Sequence, residues 1–241
     1  MKFKEVTDIG LRRDENQDMV KCQYFGENVL AVVCDGMGGE RAGKEASSIA
    51  VDEFFQRFTE GYDESIDDEG IRKLLIASIS AANSVIYTKA RLDYTSFGMG
   101  TTCVAAFITN KSVFVANVGD SRAYLITDEG LCQITTDHNL AAMLYKQGEI
   151  TEEEMLNHPK KNMLIRAVGV EKTVQTDTFI LDYDDKISIL LCSDGLSGYC
   201  SDDEIYDVIS ETPFENVTDE LVKLAYNKGG RDNITVAIIT D

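Results

Sequence analysis

Val32-Val33-Cys34-Asp35-Gly36-Met37-Gly38-Gly39 closes an apolar run that begins at Val29. An uninterrupted apolar run of this length, bounded by turn residues, is the pattern of a buried strand. This one ends in an acid, and three glycines follow within four residues. A strand that stops on a carboxylate and then turns presents the carboxylate, and a bare backbone carbonyl, at a sheet edge. Glycine permits positive φ and lets another atom come close. By itself the stretch is also compatible with a tight strand-to-helix turn whose acid is incidental. The other acids of the chain decide between these readings.

Outward from this stretch, strands and helices cluster in runs. Phe3 to Ile9 reads as a strand, and Met19 to Phe25 with Asn28 to Asp35 as a hairpin around Gly26-Glu27. Arg41 to Phe58 and Ile71 to Arg91 have helical spacing, with an acidic loop from Gly61 to Gly70 between them. Thr101 to Thr109, Ser112 to Val118 and Ser121 to Ile126 are strands separated by short turns, which predicts an antiparallel meander. Leu131 to Thr135 adds a short fourth. From Asp137 to about Val170 short helical pieces (Asn139 to Gln147, Thr151 to Asn157) alternate with polar turns, the pattern of an inserted flap. Strands return at Gln175 to Leu181 and Lys186 to Cys192. Helices follow at Asp203 to Ser210 and Phe214 to Asn227, and Asn233 to Thr240 is a closing strand. This order predicts an α+β class, antiparallel sheets with helices outside, as one domain over residues 1–241 with the flap at about 137–170.

Composition narrows the function. With 23 basic and 42 acidic residues the net charge is −19, which argues against non-specific nucleic-acid binding. No apolar stretch approaches the length of a membrane span, and the N-terminus has no apolar signal core, so a soluble cytoplasmic protein is expected. The six cysteines are scattered with no C-x-x-C pair, which reads as buried free thiols. Two histidines leave little material for a His-based zinc site.

Four more carboxylates share the setting of Asp35. Asp18 precedes the strand from Met19, and Asp120 lies in the turn Val118-Gly119-Asp120-Ser121-Arg122. Asp194 follows the apolar run Ile189 to Cys192 in Ser193-Asp194-Gly195. Asp232 lies in Gly229-Gly230-Arg231-Asp232-Asn233 before the last strand. Asp35-Gly36 and Asp194-Gly195 are one device used twice. Convergent carboxylates repel and gain protons unless a cation joins them, and all-oxygen ligands favour hard ions such as Mg²⁺ or Mn²⁺. The competing reading is a set of turns whose acids cap helices or pair with Arg13, Arg122 or Arg231.

The ordered set of motifs is more specific than any one of them. Thr7-Asp8-Ile9-Gly10-Leu11-Arg12-Arg13-Asp14-Glu15-Asn16-Gln17-Asp18 is followed by Asp35-Gly36-Met37-Gly38-Gly39, Gly98-Met99-Gly100-Thr101-Thr102 and Gly119-Asp120-Ser121-Arg122. Asp137-His138, Ser193-Asp194-Gly195-Leu196 and Gly230-Arg231-Asp232-Asn233-Ile234-Thr235 complete the series. The chain resembles the metal-dependent serine/threonine protein phosphatases of the PPM (PP2C-type) family, in their compact bacterial form. The resemblance implies a four-layer α-β-β-α sandwich, two antiparallel sheets flanked by helices, with a two-metal centre of Mn²⁺ or Mg²⁺ at one end. It implies that Asp35 bridges both ions with the Gly36 carbonyl as a further ligand, and that Asp194 and Asp232 bind the first. Asp18 corresponds to the acid orienting water at the second ion, Asp120 with Asp194 to a third-ion site, and Arg13 to the phosphate-binding arginine.

The chemistry implied is in-line attack on phosphoserine or phosphothreonine by a water or hydroxide bridging the two ions. Arg13 would stabilise charge on the phosphoryl oxygens. Two departures are visible. Gln17 stands where many relatives carry Glu, and Met37 where animal members carry a histidine proposed as general acid. The implied partners are phosphorylated proteins, including a Ser/Thr kinase and its substrates, with the chain acting as a monomer. The alternative is a catalytically silent, metal-stabilised interaction module of the same fold. Outside the motifs, His138 reads as a structural, hydrogen-bonded histidine, and Ser121 as a turn residue without a histidine to activate it.

Overall fold

The computed structural model describes residues 1–39, 42–183 and 186–241. Alternate residues of the opening stretch go to opposite sides of strand β3 (Asn28–Met37). Leu30, Val32 and Cys34 belong to a core with Phe54 and Phe58 of helix α1 (Ala42–Gly61) and Leu75 and Ile79 of helix α2 (Asp68–Leu92). Val29, Ala31 and Val33 belong to another, with Ile189, Leu191, Ala237 and Ile239. A strand covered on both faces has no solvent side to mark with polar residues, so its apolar run is unbroken. The expected start of α1, Arg41, lies outside the described residues.

One antiparallel sheet has the order β2 (Asp18–Phe25), β3, β5 (Cys103–Ile108), β6 (Ser112–Val118), β9 (Asp177–Asp182), with the short β4 (Gly100–Thr101) paired to the end of β3. The other has the order β1 (Lys2–Asp8), β11 (Ile234–Thr240), β10 (Ser188–Cys192), β7 (Arg122–Thr127), β8 (Gly130–Gln133). Helices α1 and α2 cover the first. Helices α5 (Asp194–Ser197), α6 (Asp202–Glu211) and α7 (Val217–Asn227) cover the second through Leu196, Ile205 and Leu221, packed on Leu190, Val236 and Ile238. Four layers, α-β-β-α, result, as the resemblance implied. Ala237 and Ile239 face the inter-sheet core while Val236 and Ile238 face the outer helices, the period of two expected of a central strand.

The predicted meander does not form. β5 and β6 pair, but β7 joins the other sheet, between β10 and β8. The far edge of β6 is taken by β9. Gly119, at φ +110°, carries the chain across from one sheet to the other. Its polar groups go to the flap: Gly119 N donates to His138 Nδ1 at 3.0 Å, and its carbonyl accepts from His138 N at 3.0 Å. A two-residue Gly-Asp connection looks like a hairpin in sequence, and only competition for the edges of β6 decides otherwise.

Between β8 and β9 lie α3 (Leu140–Lys146) and α4 (Glu152–Leu156), the two helical pieces expected of the flap. Asn139 caps the first, and a Thr151–Glu154 capping box starts the second. The segment is stitched down by Ile165 N to the His138 carbonyl and by the bridge between Val168 and Thr101. All six cysteines are free; Cys34, Cys103, Cys192 and Cys200 are buried, whereas Cys132 is exposed. Among the described residues no helix is long and apolar enough to cross a membrane.

Candidate active site

The sheets end at a cleft of about 1170 Å³ whose walls include Asp35, Asp120, Asp194 and Asp232. Asp35 comes from the first sheet, Asp194 and Asp232 adjoin the second, and Asp120 lies in the crossing from β6 to β7. Asp35 lies inside β3, not at its end as expected: the strand continues through Gly36 and Met37, which pair with Thr101 and Gly100. Its backbone is held on both sides, with Asp35 N donating to Thr102 Oγ1 at 2.8 Å and its carbonyl accepting from Thr102 N and Thr101 Oγ1. Thr102 Oγ1 is also 2.6 Å from Ser121 Oγ, so the Asp35 and Asp120 segments share one hydroxyl pair.

Asp18 stands directly across from Asp35 in the β2–β3 register. It is 2% exposed and sits behind the cleft wall, where its Oδ2 accepts from Ser193 Oγ at 2.7 Å. Ser193 in turn ties down β11, donating its N–H to the Thr235 carbonyl and accepting from Thr235 N. Asp194, next along, is the first residue of α5. One serine therefore joins the acid of the first hairpin to the strand end that carries Asp194. Asp232 Oδ2 accepts from Arg13 Nη2 at 2.7 Å, and the Arg13 side chain is otherwise half exposed at the cleft rim. Asn233 organises the backbone around it: its Oδ1 accepts from Gln17 N, and its Nδ2 donates to the Ile9 and Glu15 carbonyls.

Gly36 packs against the start of α1. A Cβ there would lie 2.0 Å from the Gly43 carbonyl oxygen, so nothing larger fits. Gly38 and Gly39, at φ +126° and +89°, make the turn itself. Gln17 Nε2 donates to the Gly39 carbonyl at 2.9 Å, and Met37 lines the cleft.

The electrostatics are those of crowded, dehydrated carboxylates. Burial pushes Asp35 well above the usual carboxylate range, and the charges of Asp18, Asp194, Asp120 and Asp232 add to the effect. Burial raises Asp194 likewise, followed by Asp120, Asp232 and Asp18. Burial carries Asp18 to about 6 against the opposing hydrogen bond from Ser193, and carries Asp120 to about 7 with help from Asp137. Asp18 Oδ1 and Asp194 Oδ1 are buried without a hydrogen-bond partner. Orphaned carboxylate oxygens in such a cluster are what a divalent cation relieves.

Among the described residues no three acidic, histidine or cysteine side chains close into a cage around one point. The acids that line the cleft offer oxygen donors only. That suits Mg²⁺ or Mn²⁺, which favour oxygen donors, and Mg²⁺ in particular retains several waters.

Of the cations in the competing reading, only Arg13 pairs with one of the five acids. Arg122 forks onto Asp137 and donates to Tyr124 Oη, and Arg231 lies over the Tyr199 ring. His138 is tied into the fold through both ring nitrogens: Nδ1 accepts from Gly119 N at 3.0 Å, and Nε2 lies 3.1 Å from Asp177 Oδ2 and 2.9 Å from Arg166 Nη1. Arg166, at the cleft wall, donates to the same carboxylate. Ser193, Thr102 and Asn233 are the organising residues that residue-type reasoning did not single out. The available signal was a hydroxyl or amide directly beside an acid at Ser193-Asp194 and Asp232-Asn233; Thr102 has no such neighbour.

Comparison with known proteins places these features in context. A family model described as Protein phosphatase 2C matches residues 12–236. The serine/threonine phosphatase stp of Listeria welshimeri is 38% identical, over 97% of this chain and 93% of its own length. The solved structure of serine/threonine phosphatase Stp1 from Staphylococcus aureus has a TM-score of 0.91 at 38% identity, covering 98% of this chain and 93% of that one. The catalytic domain of the serine threonine protein phosphatase PstP, in complex with two manganese ions, has a TM-score of 0.85 at 31% identity, covering 100% and 97%.

Proposed function

The chain belongs to the protein phosphatase 2C family, and on that premise we infer that it is a metal-dependent serine/threonine protein phosphatase acting on phosphorylated proteins. One observation carries the assignment of its site: five carboxylates from distant parts of the chain, Asp18, Asp35, Asp120, Asp194 and Asp232, meet at one end of the two sheets beside Arg13. Hydrogen bonding and pairing within the protein leave two of their buried oxygens, Asp18 Oδ1 and Asp194 Oδ1, unused.

In this reading Asp35, the Gly36 carbonyl, Asp194 and Asp232 would hold two Mn²⁺ or Mg²⁺ ions, and Asp18, behind the cleft wall, would orient water at the site. Asp120 with Asp194 forms a third position. The ions supply an activated water nucleophile at neutral pH and neutralise charge on the phosphate. The chain's own groups do the rest. Arg13, half exposed at the rim, exchanges its pairing with Asp232 for the phosphoryl oxygens, whose geometry its guanidinium fork matches. Ser193 fixes the Asp18 carboxylate, and Thr102 fixes the Asp35 backbone, so neither acid needs to reorganise during the reaction. Met37 has no proton to give, so the leaving serine or threonine oxygen takes its proton from water.

Residues 1–241 serve as one catalytic unit, with the flap at about 137–170 bordering the cleft through Asn162, Leu164 and Arg166. The physiological substrates include those of a Ser/Thr kinase, and the kinase itself. The test is hydrolysis of a phosphothreonine peptide with Mn²⁺ and with EDTA. Turnover that requires Mn²⁺ is expected; folded protein that releases no phosphate under either condition would sink the reading.

A further inference from the structure

A second concavity, of about 580 Å³, opens beside the carboxylate cleft. Its walls include Lys160, Lys161, Met163, Tyr199 and Arg231, and it shares Asn162 with the cleft. Its charge runs against that of the protein. The chain holds 42 acidic residues against 23 basic, yet no acid lines this groove and three cations do. Among the described residues, none of the three cations has a carboxylate within ion-pair distance. Some other cations are neutralised locally, as at Lys89–Glu45 and Arg72–Glu69; what sets the groove apart is that three cations and no acid line one concavity.

Two of the three cations have contacts that hold them. Lys161 Nζ donates to the Gly198 carbonyl at 3.2 Å, joining the flap to the end of the helix that Asp194 begins. The Arg231 guanidinium lies 5.9 Å from the centre of the Tyr199 ring, and its chain neighbour is Asp232 of the cleft. Asn162 lines both concavities, and Tyr199, its hydroxyl pKa raised by burial and then by the charges of Asp194 and Asp232, borders the groove. Groove and cleft are therefore contiguous. Lys160 and Arg231 are exposed, so their charges are presented to whatever crosses the groove.

We propose that this groove is a subsite for an anionic side chain of the substrate protein, flanking the phosphorylated residue held at the carboxylate cleft. The proposal rests on the phosphatase reading and adds a substrate preference to it. Cations that line one groove without a carboxylate among them are relieved by an anion seated there. A peptide crossing from the cleft meets them across the Asn162 wall. A substrate rich in acids is otherwise repelled by a protein of net charge −19, and a local cationic set offsets that field at the point of contact. The anionic group is a carboxylate or a second phosphoryl group, and the experiment separates the two.

The test uses one phosphothreonine peptide sequence in which each flanking position in turn carries Ala, Glu or a second phosphothreonine. Hydrolysis is measured with Mn²⁺ for the wild-type chain, Lys160→Glu and Arg231→Gln, with melting temperature as the folding control. The wild type is expected to favour an acid-bearing peptide over its Ala counterpart by about 3- to 10-fold in kcat/KM, carried by KM. Lys160→Glu is expected to erase that ratio, and raising the salt to about 0.5 M to shrink it for the wild type, because the groups are at the surface. A preference met equally by Glu and phosphothreonine assigns a carboxylate-tolerant subsite; one met only by phosphothreonine assigns a phosphate subsite. Hydrolysis without preference at any position overturns the subsite while leaving the phosphatase reading intact. A preference that neither variant alters also overturns it. No hydrolysis of any peptide overturns the phosphatase reading, and the subsite with it.

Discussion

Asp35-Gly36 and Asp194-Gly195 each follow a buried apolar run, and the chain folds them differently. At the first, β3 runs on through the acid and the glycine to Met37. At the second, β10 stops at Cys192 and the acid opens helix α5. What the two share is the reason for the glycine. A Cβ on Gly36 would lie 2.0 Å from the Gly43 carbonyl oxygen, and one on Gly195 would lie 1.8 Å from that of Asn233. Neither glycine has positive φ. The acid-glycine pair therefore marks a place where another stretch of backbone passes close by. It does not specify a turn type, and the local conformation follows from the element that passes.

The comparison holds functionally only if both acids serve the same ions. Asp35→Asn and Asp194→Asn are each expected to lower Mn²⁺-dependent kcat/KM by on the order of 10³-fold, since a lost ligand removes several kcal/mol of charge stabilisation. The same variants should raise the melting temperature of the metal-free protein at alkaline pH, because each removes a buried acid whose ionisation burial and its neighbours oppose. Full activity in either variant would separate the two corners.

The shared structural reason is tested by adding the missing methyl. Gly36→Ala and Gly195→Ala are each expected to cost about 3 kcal/mol in urea unfolding, at the upper end for overpacking, because the obstructing atoms are backbone. Gly39→Ala, where a Cβ meets nothing within 4 Å, should instead cost about 1 kcal/mol through its φ of +89° alone.

The last effect is spread over pH. Asp18 and Asp120 keep their protons to about 6 and about 7 in the folded state, whereas an unfolded chain releases them near 4. The folded metal-free protein thus binds more protons between those values. Its stability from these groups is complete below about pH 4 and falls as pH rises through 6 to 7, by about 1.4 kcal/mol per pH unit for each extra proton held. Urea unfolding in EDTA from pH 5 to 8 measures the loss, and Mn²⁺ added at pH 8 should restore stability. A flat profile would mean that the acids are less crowded than their burial implies.

Most of the architecture was legible because its signals are local. Strands buried on both faces read as unbroken apolar runs, α1 and α2 show helical spacing, and the flap helices carry their caps in Asn139 and Thr151. The meander was misread because Gly119-Asp120 has the length of a hairpin loop. The site residues were legible as types, since acids beside glycines stand out in apolar surroundings, and the ordered motifs told which of them belong together. Ser193, Thr102 and Asn233 were not, because a hydroxyl or amide beside a strand end has many ordinary uses. The basic groove was equally hidden: Lys160 and Arg231 are 71 positions apart in the sequence.

The sequence by itself determined the class of fold, the acids and the two glycines at their corners, because burial and backbone crowding constrain residue type at each position separately. The tertiary structure alone decided which sheet β7 joins, that Asp18 lies behind Asp35 with Ser193 holding it, and that Arg13 pairs with Asp232. Those outcomes depend on which distant segments compete for one strand edge or one carboxylate oxygen, and no single segment carries that information.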